Sequence, residues 1–283
     1  MKNIVEVHII PIWDGFDEAL APVEKHRPDV VYLLEDENAE MPARYDGLRR
    51  DIAANVRELH VGRLDLFDLY DVMGFVTTLA DGHRGDTVRV NISAGTADSA
   101  LGATMACMDD RTEADPFRVL PADPTPGEET GETRLVEGDG LNVFPIDSPT
   151  RDQLIALAVI EACNTDGRQT KLKTILEHGR THGMDCLQGV EGKGRYNKLR
   201  AYATDFLEEK GYVEITEVSS QTKHVAVTET GLQTLRAFRH RIEDVIRALE
   251  NSDDERIHLD LDHPAETLER WTPDGGARRR ASQ

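Results

Sequence analysis

The chain has 283 residues, of which 39% are hydrophobic, and its net charge is −20. That length suits two ordinary domains, and no apolar run reaches the roughly 20 residues that a membrane-spanning helix needs, so no membrane partner is expected. Met1–Glu6 reads straight into a strand and Cys107, Cys163 and Cys186 are widely spaced, so neither a signal peptide nor a disulfide framework is expected, and the expected location is a reducing cytoplasm.

The first half alternates strands with helices. Ile4–Ile12 is a β run rich in branched residues, and a helix is predicted from about Phe16 to His26. Asp29–Leu34 is a second strand. The segment Tyr45–Leu59 reads as a helix, with Leu48, Ile52 and Val56 on one face. Phe67–Ala80 is a further helix, Thr87–Ile92 a third strand, Ala97–Met108 a helix and Phe117–Leu120 a fourth strand. Short strands alternating with helices predict a parallel three-layer α/β sheet. From Pro121 to Gly140 the composition turns to Pro, Gly, Glu and Thr, with a hairpin expected around Asp139-Gly140.

The second half changes character. Helices are predicted at Arg151–Asn164, Thr170–His178 and Gly194–Lys210, then strands at Tyr212–Ile215 and His224–Val227, then a helix at Leu232–Leu249. That order is a winged helix-turn-helix. The expected organisation is an α/β sensing and dimerisation domain at 1–147, a winged helix at 148–250, and a polar tail with little fixed structure at 251–283.

Charge separates the two halves. Residues 1–150 hold 13 basic and 30 acidic side chains, a net of 13 − 30 = −17, whereas residues 151–250 hold 15 of each. The dispersed acid reads as adaptation to a high-salt cytoplasm. Within the neutral half, residues 168–200 hold eight basic and three acidic side chains, a net of 8 − 3 = +5. Such an island is either a solvated helical face or a surface that meets phosphates.

Helical periodicity turns Leu199, Ala203 and Phe206 inward and sets Asn197, Arg200, Ala201 and Thr204 outward. A helix so placed lies in the major groove of double-stranded DNA, where Asn197 suits an adenine edge and Arg200 a guanine edge. Lys171, Lys193, Arg195, Tyr196, Lys198 and Lys223 complete the candidate DNA-binding set, with Arg195 and Lys198 as phosphate clamps and Lys223 on the wing. A winged helix used for dimerisation or protein contact is the alternative.

In the first half, Asn91-Ile92-Ser93-Ala94-Gly95-Thr96 joins a strand to the helix that begins at Ala97. Small residues there let backbone N–H groups approach an anion. Neither a P-loop nor a dinucleotide fingerprint matches. The candidate ligand site read from these residues is Asn91, Ser93, Ala94, Gly95, Thr96 and Ala97. Neither this turn nor the loop after the first strand holds a Lys or Arg, so a polyanionic ligand would depend mainly on backbone amides and hydroxyls, or on Arg44, Arg49 or Arg50 if they fold over the pocket.

Two resemblances sharpen this. Leu207–Val213 and Val227-Thr228-Glu229-Thr230-Gly231 are similar to the segments that end the recognition helix and begin the last helix of many prokaryotic winged helices. Asn91–Thr96 resembles the Asn-x-Ser/Thr-Gly/Ala-Gly-Thr turn of CARF domains, the Rossmann-like sensors of CRISPR defence, a family that includes archaeal regulators with a CARF domain before a winged helix. The resemblance implies a Rossmann-like CARF-type parallel sheet followed by a winged helix, in a haloarchaeal transcription regulator. It further implies a homodimer and a small nucleotide-like effector, a cyclic oligoadenylate, held by this turn together with Trp13, Asp14, Gly15 and Phe16 of the loop after the first strand. No cofactor is expected. The rival classes are a CARF-type ring nuclease, with Ser93 or Thr96 orienting a ribose hydroxyl, and a dimeric scaffold that binds no DNA. No catalytic residue and no metal ligand is assigned. His178, His182 and Cys186 recur every four residues, but Gly179 and Gly183 interrupt their helix and structural zinc normally takes four ligands.

Overall fold

A computed structural model describes residues 4–121, 135–137, 147–164, 170–192, 194–219, 222–252, 254, 257–259, 261, 267–273 and 278–279. The chain divides into two compact units, Met1–Asp147 with His263–Gln283, and Ser148–Asp262. No helix among the described residues is long and apolar enough to cross a membrane.

In the first unit the elements run β1 (Glu6–Pro11), α1 (Phe16–His26), β2 (Val30–Asp36), α2 (Tyr45–Asn55), β3 (Glu58–Leu64), α3 (Leu69–Gly82), β4 (Thr87–Asn91), α4 (Ala97–Met108), β5 (Asp115–Phe117), β6 (Val119–Pro121) and β7 (Leu135–Glu137). Strands β3-β2-β1-β4-β5 form a parallel sheet in that order. All seven residues of β2 are buried, as expected for a strand covered on both faces. On one face Ile10, Val31, Leu33, Leu59 and Val61 pack with Ala19 and Val23 of α1 and Leu48 and Ile52 of α2. On the other, α3 lies so close that a Cβ on Gly62 of β3 would stand 2.7 Å from the Phe75 ring.

Three expectations need correction here. The helix predicted to reach Leu59 stops at Asn55, and Glu58–Leu64 is a strand inside the sheet. Its polar residues hid it: His60 is buried, stacked on Tyr32 at 5.1 Å and hydrogen-bonded to Glu58 at 3.2 Å. The strand predicted at Phe117–Leu120 is split at Arg118, because β5 pairs with β4 while β6 turns to pair antiparallel with β7. Leu135-Val136 therefore meets Leu120-Pro121, and the turn proposed at Asp139-Gly140 lies outside the described residues. Finally, the polar tail carries structure. Glu269–Trp271 (β11, counted after the strands of the second unit) adds antiparallel to the free edge of β3, and Arg278–Arg279 (β12) pairs with it. Trp271 packs against the α1–α2 core. One large aromatic residue and a vacant strand edge hold a segment whose composition is otherwise polar.

The second unit contains α5 (Arg151–Cys163), β8 (Thr170–Lys171), α6 (Leu172–Thr181), a 3-10 turn (Asp185–Leu187), α7 (Gly194–Leu199), a π-helical turn (Arg200–Thr204), α8 (Asp205–Glu209), β9 (Val213–Ser219), β10 (Thr222–Val227), α9 (Glu229–Phe238) and α10 (Glu243–Glu250). The antiparallel sheet β8-β10-β9 with these helices is a winged helix. Helix α5 is its centre. Thr150 and Gln153 cap it reciprocally, and Leu154 to Ile160 are all buried. The two winged-helix segments meet physically: the Thr228 hydroxyl donates to the Gly211 carbonyl at 2.7 Å and accepts from the Gly231 N–H at 3.1 Å. Gly211 has φ +72°, the left-handed cap expected of it. The last helix, predicted as continuous, breaks at Arg239–Ile242 into a 3-10 turn. Beyond α10, Leu259 and Leu261 are buried.

Candidate functional site

The strand order reverses direction between β1 and β4, and in open α/β sheets ligands bind outside the carboxyl ends of the strands at such a point. Both predicted loops leave from there. Trp13 and Gly15 donate their N–H groups to the Ala94 carbonyl at 3.0 and 3.2 Å, so the loops are bonded to each other. The small residues serve that closeness. A Cβ on Gly15 would stand 2.7 Å from Ala94 Cα, and one on Gly95 would stand 2.3 Å from Ser99 Oγ and 3.1 Å from the Pro11 carbonyl. The room that Gly95 was expected to leave for a ligand is filled by the protein itself.

The polar side chains of the turn are engaged in the same way. Asn91 is buried; its amide donates to the Glu18 carbonyl at 2.8 Å and its oxygen accepts from the Ser93 N–H at 2.9 Å. Ser93 Oγ accepts from the Val119 N–H at 2.8 Å. Thr96 Oγ1 donates to the Leu66 carbonyl at 2.9 Å and caps α4 by accepting from the Ser99 N–H at 3.0 Å. Ala94 is buried. What faces solvent is Asp14 and Ala97, with Trp13 and Phe16 half-buried.

The Thr96–Leu66 bond draws in a third loop, which the sequence reading missed together with β3. Its Phe67 is 53% exposed and packs edge-on against Trp13 at 5.2 Å. An aromatic residue after a strand, flanked by Asp65 and Asp68, was the available signal. Of the three arginines considered, Arg44 reaches the site and lies 4.1 Å from the centre of the Phe16 ring. Arg50 is exposed. Arg49 is bound to the buried Glu35 carboxylate at 2.7 Å, which Arg63 also meets at 3.0 Å. Burial would lower the Arg49 guanidinium, but Tyr45 and Glu35 outweigh it and raise it; burial, then Glu35, pushes the Tyr45 phenol up. The cleft beside Phe16, about 270 Å³, is lined by Asp14, Asp17, Glu18 and Asp51 with Arg44. Carboxylates outnumber bases there, so it does not suit a polyanion.

On the winged helix, Asn197, Arg200 and Ala201 are exposed on the third helix, as predicted, and Tyr196 and Lys198 are exposed beside them. Thr204 is not; it is fully buried. The cause is the π turn, whose extra residue rotates the helix beyond it, so that 203, 204 and 207 face inward and Phe206 is only half-buried. Arg195 is half-buried and donates from Nε to the Val190 carbonyl at 3.0 Å. Lys171 is exposed at the start of α6, Lys223 is half-buried on β10 opposite Glu217, and Lys193 lies outside the described residues. Tyr202, 54% exposed with the Lys198 ammonium 4.7 Å from its ring centre, and Asp205 belong to the same face and were not foreseen. His178 and His182 stack at 6.2 Å, while Asp152 accepts from the Asp185 and Cys186 N–H groups at 2.8 Å each. Burial and Asp152 push the Cys186 thiol up to about 12.

Residues 6–123 match the family model described as HFX_2341_N-like, N-terminal, and residues 152–239 match the DUF6293 C-terminal winged helix domain. No curated protein matches the chain. Among solved structures, the chain is similar to Can2 from Sulfobacillus thermosulfidooxidans in complex with cyclic tetra-adenylate, at 12% identity and TM-score 0.37, over 84% of this chain and 63% of that one. It is also similar to Enterococcus italicus Csm6 bound to cyclic hexa-2'-fluoro-hexa-dAMP, at 13% identity and TM-score 0.35, over 44% of this chain and 35% of that one. For protein VC1899 from Vibrio cholerae the values are 14%, 0.34, 87% and 68%. The chain thus spans less than two thirds of the length of the first two.

Proposed function

We propose that the protein is a transcription regulator that binds double-stranded DNA through its winged helix and senses a nucleotide-like ligand with its α/β unit. One observation carries the DNA half: the third helix of a winged helix turns Asn197, Lys198 and Arg200 to solvent, within the basic stretch 168–200 of an acidic chain. A single such helix reads a short site, so the protein acts as a homodimer on a pseudo-palindromic operator. The test is chromatin pull-down from the native host, followed by titration of the recovered sequence at several salt concentrations. Recovery of no enriched sequence, or equal affinity for a scrambled duplex, refutes sequence-specific regulation.

For the α/β unit we read the ligand as a cyclic oligoadenylate, on the likeness of the Asn91–Thr96 turn and its position at the switch point. The motif side chains hold the loops in place, and contact with the ligand falls to Trp13, Phe67 and the first turn of α4. The ring-nuclease alternative needs the Ser93 or Thr96 hydroxyl to orient a ribose; both are already bonded to backbone groups. Calorimetric titration with cyclic tetra-adenylate, with its hydrolysis followed in parallel, separates sensor, enzyme and scaffold.

A further inference from the structure

The third helix of the winged helix is interrupted where its exposed face is richest in donors. The π turn Arg200–Thr204 is closed by the Asp205 N–H on the Arg200 carbonyl. In a regular α-helix, residues five apart stand about 140° apart around the axis and their side chains point away from each other. The wider turn brings these two together, and Arg200 Nε donates to Asp205 Oδ1 at 3.3 Å. The turn is held from the core side by α5. Gln153 Nε2 donates to the Tyr202 carbonyl at 3.2 Å, while its oxygen accepts from the Thr150 N–H at 2.8 Å. A residue of the central helix thus stabilises a distortion whose effect is to place one carboxylate beside one guanidinium.

We propose that Asp205 is a positioning residue that makes Arg200 a base reader rather than a phosphate clamp, so that the Arg200–Asp205 pair sets a guanine preference at one position of the DNA site. The proposal rests on the DNA-binding reading above. The bond to Asp205 engages Nε, and guanine O6 and N7 are read by the two terminal nitrogens of the fork. The carboxylate also cancels the charge of Arg200. A DNA phosphate approaching Arg200 meets a like charge beside it, so the pair adds little to counterion release. Lys198, whose ammonium rests on the Tyr202 ring, has no such neighbour in that contact and remains the phosphate-directed cation of this face.

The experiment selects a binding site from random duplexes with the full-length wild type. It then titrates that site, and a copy with the guanine replaced, over a series of salt concentrations. Wild type should discriminate about 5- to 150-fold at that position. Asp205→Asn should lose most of that discrimination and gain affinity for the altered duplex. Its slope of log K against log salt should steepen by about 0.9, because Arg200 is released to take a phosphate. Arg200→Ala should lose the same preference with the slope unchanged. Asp205 is exposed, and a thermal melt confirms that the asparagine variant folds. If Asp205→Asn keeps the guanine preference and the slope, or Arg200→Ala flattens the slope by about 0.9, Arg200 is a phosphate clamp and the proposal is wrong. If wild type selects no sequence at all, the DNA-binding reading falls, and this proposal falls with it.

Discussion

Gly15→Ala tests the assignment of the turn glycines to loop-on-loop packing. The added Cβ meets Ala94 Cα at 2.7 Å, and the Ala94 and Ser93 carbonyl oxygens at 3.1 Å each. All three are backbone atoms, so no side chain can swing aside. Ordinary carbon–carbon contact is about 3.5–4.0 Å, so the loops must part by roughly 1 Å. That strains the Trp13 and Gly15 bonds to the Ala94 carbonyl, each worth about 0.5–1.5 kcal/mol net. Overpacking of this kind costs about 1–3 kcal/mol, and because the two effects overlap the expected loss is about 2–4 kcal/mol. In a unit of this size that lowers the melting temperature by roughly 4–16 °C. Gly47→Ala is the matched control. It lies in α2 with nothing within 4 Å of the added Cβ, and alanine there should stabilise by about 0.5–1 kcal/mol. Calorimetric melting of both variants decides the matter. A Gly15→Ala protein as stable as wild type would show that the loops are not packed as described and that the glycine serves some other purpose.

Three further outcomes are expected. Asn197→Ala should cost about 1–3 kcal/mol on the preferred duplex and relax its sequence preference, whereas Lys198→Ala should weaken all duplexes alike and reduce the salt slope by about 0.9; competition titration distinguishes the two. Trp271→Ala should destabilise the α/β unit by about 1–3 kcal/mol, because a half-buried indole leaves the α1–α2 core and β11 loosens from β3; urea denaturation should show it. Burial first, then His178, holds His182 below its ordinary 6.5, so it stays neutral in the fold and takes up a proton more readily when unfolded. The stability it confers is complete above pH 6.5 and is lost as pH falls through that value and below. Melting curves between about pH 7 and 5 should fall less steeply for His182→Gln than for wild type, and parallel curves would exclude this contribution.

Much of the fold is legible in the chain because its signals are local. Branched runs such as Val30-Val31-Tyr32-Leu33-Leu34 announce buried parallel strands, and Gly211 with Thr228–Gly231 marks both ends of the wing. What stayed hidden depends on partners distant in sequence. Strand β3 reads as polar until His60 finds Tyr32 and Glu58, and β11 is three residues whose place exists only because β3 offers an edge. A regular period turns Thr204 outward, whereas the π turn, which Gln153 meets from 49 residues away through the Tyr202 carbonyl, turns it inward. The candidate ligand loops were found from small residues, but small residues do not reveal what occupies the space beside them. Here it is Ser99 and Pro11.

Asn91, Ser93 and Thr96 spend their polar atoms on Glu18, Val119 and Leu66, and so fix the end of β4 against α1, β6 and the loop after β3. A turn of this kind builds the floor of a site instead of lining it. Recognition then passes to groups above the floor: the Trp13–Phe67 edge-to-face pair, which offers a surface for a flat ring, and the N–H groups that open α4. Cationic side chains contribute little, since Arg49 is bound to Glu35 and the cleft holding Arg44 is lined by carboxylates. Ring stacking and backbone amides depend on salt far less than ion pairs do. An α/β unit built mainly from residues 1–150, which carry a net −17, would therefore hold a ligand by contacts that tolerate high salt, while the proposed DNA contacts of the winged helix, in residues 168–200, carry the salt-sensitive chemistry.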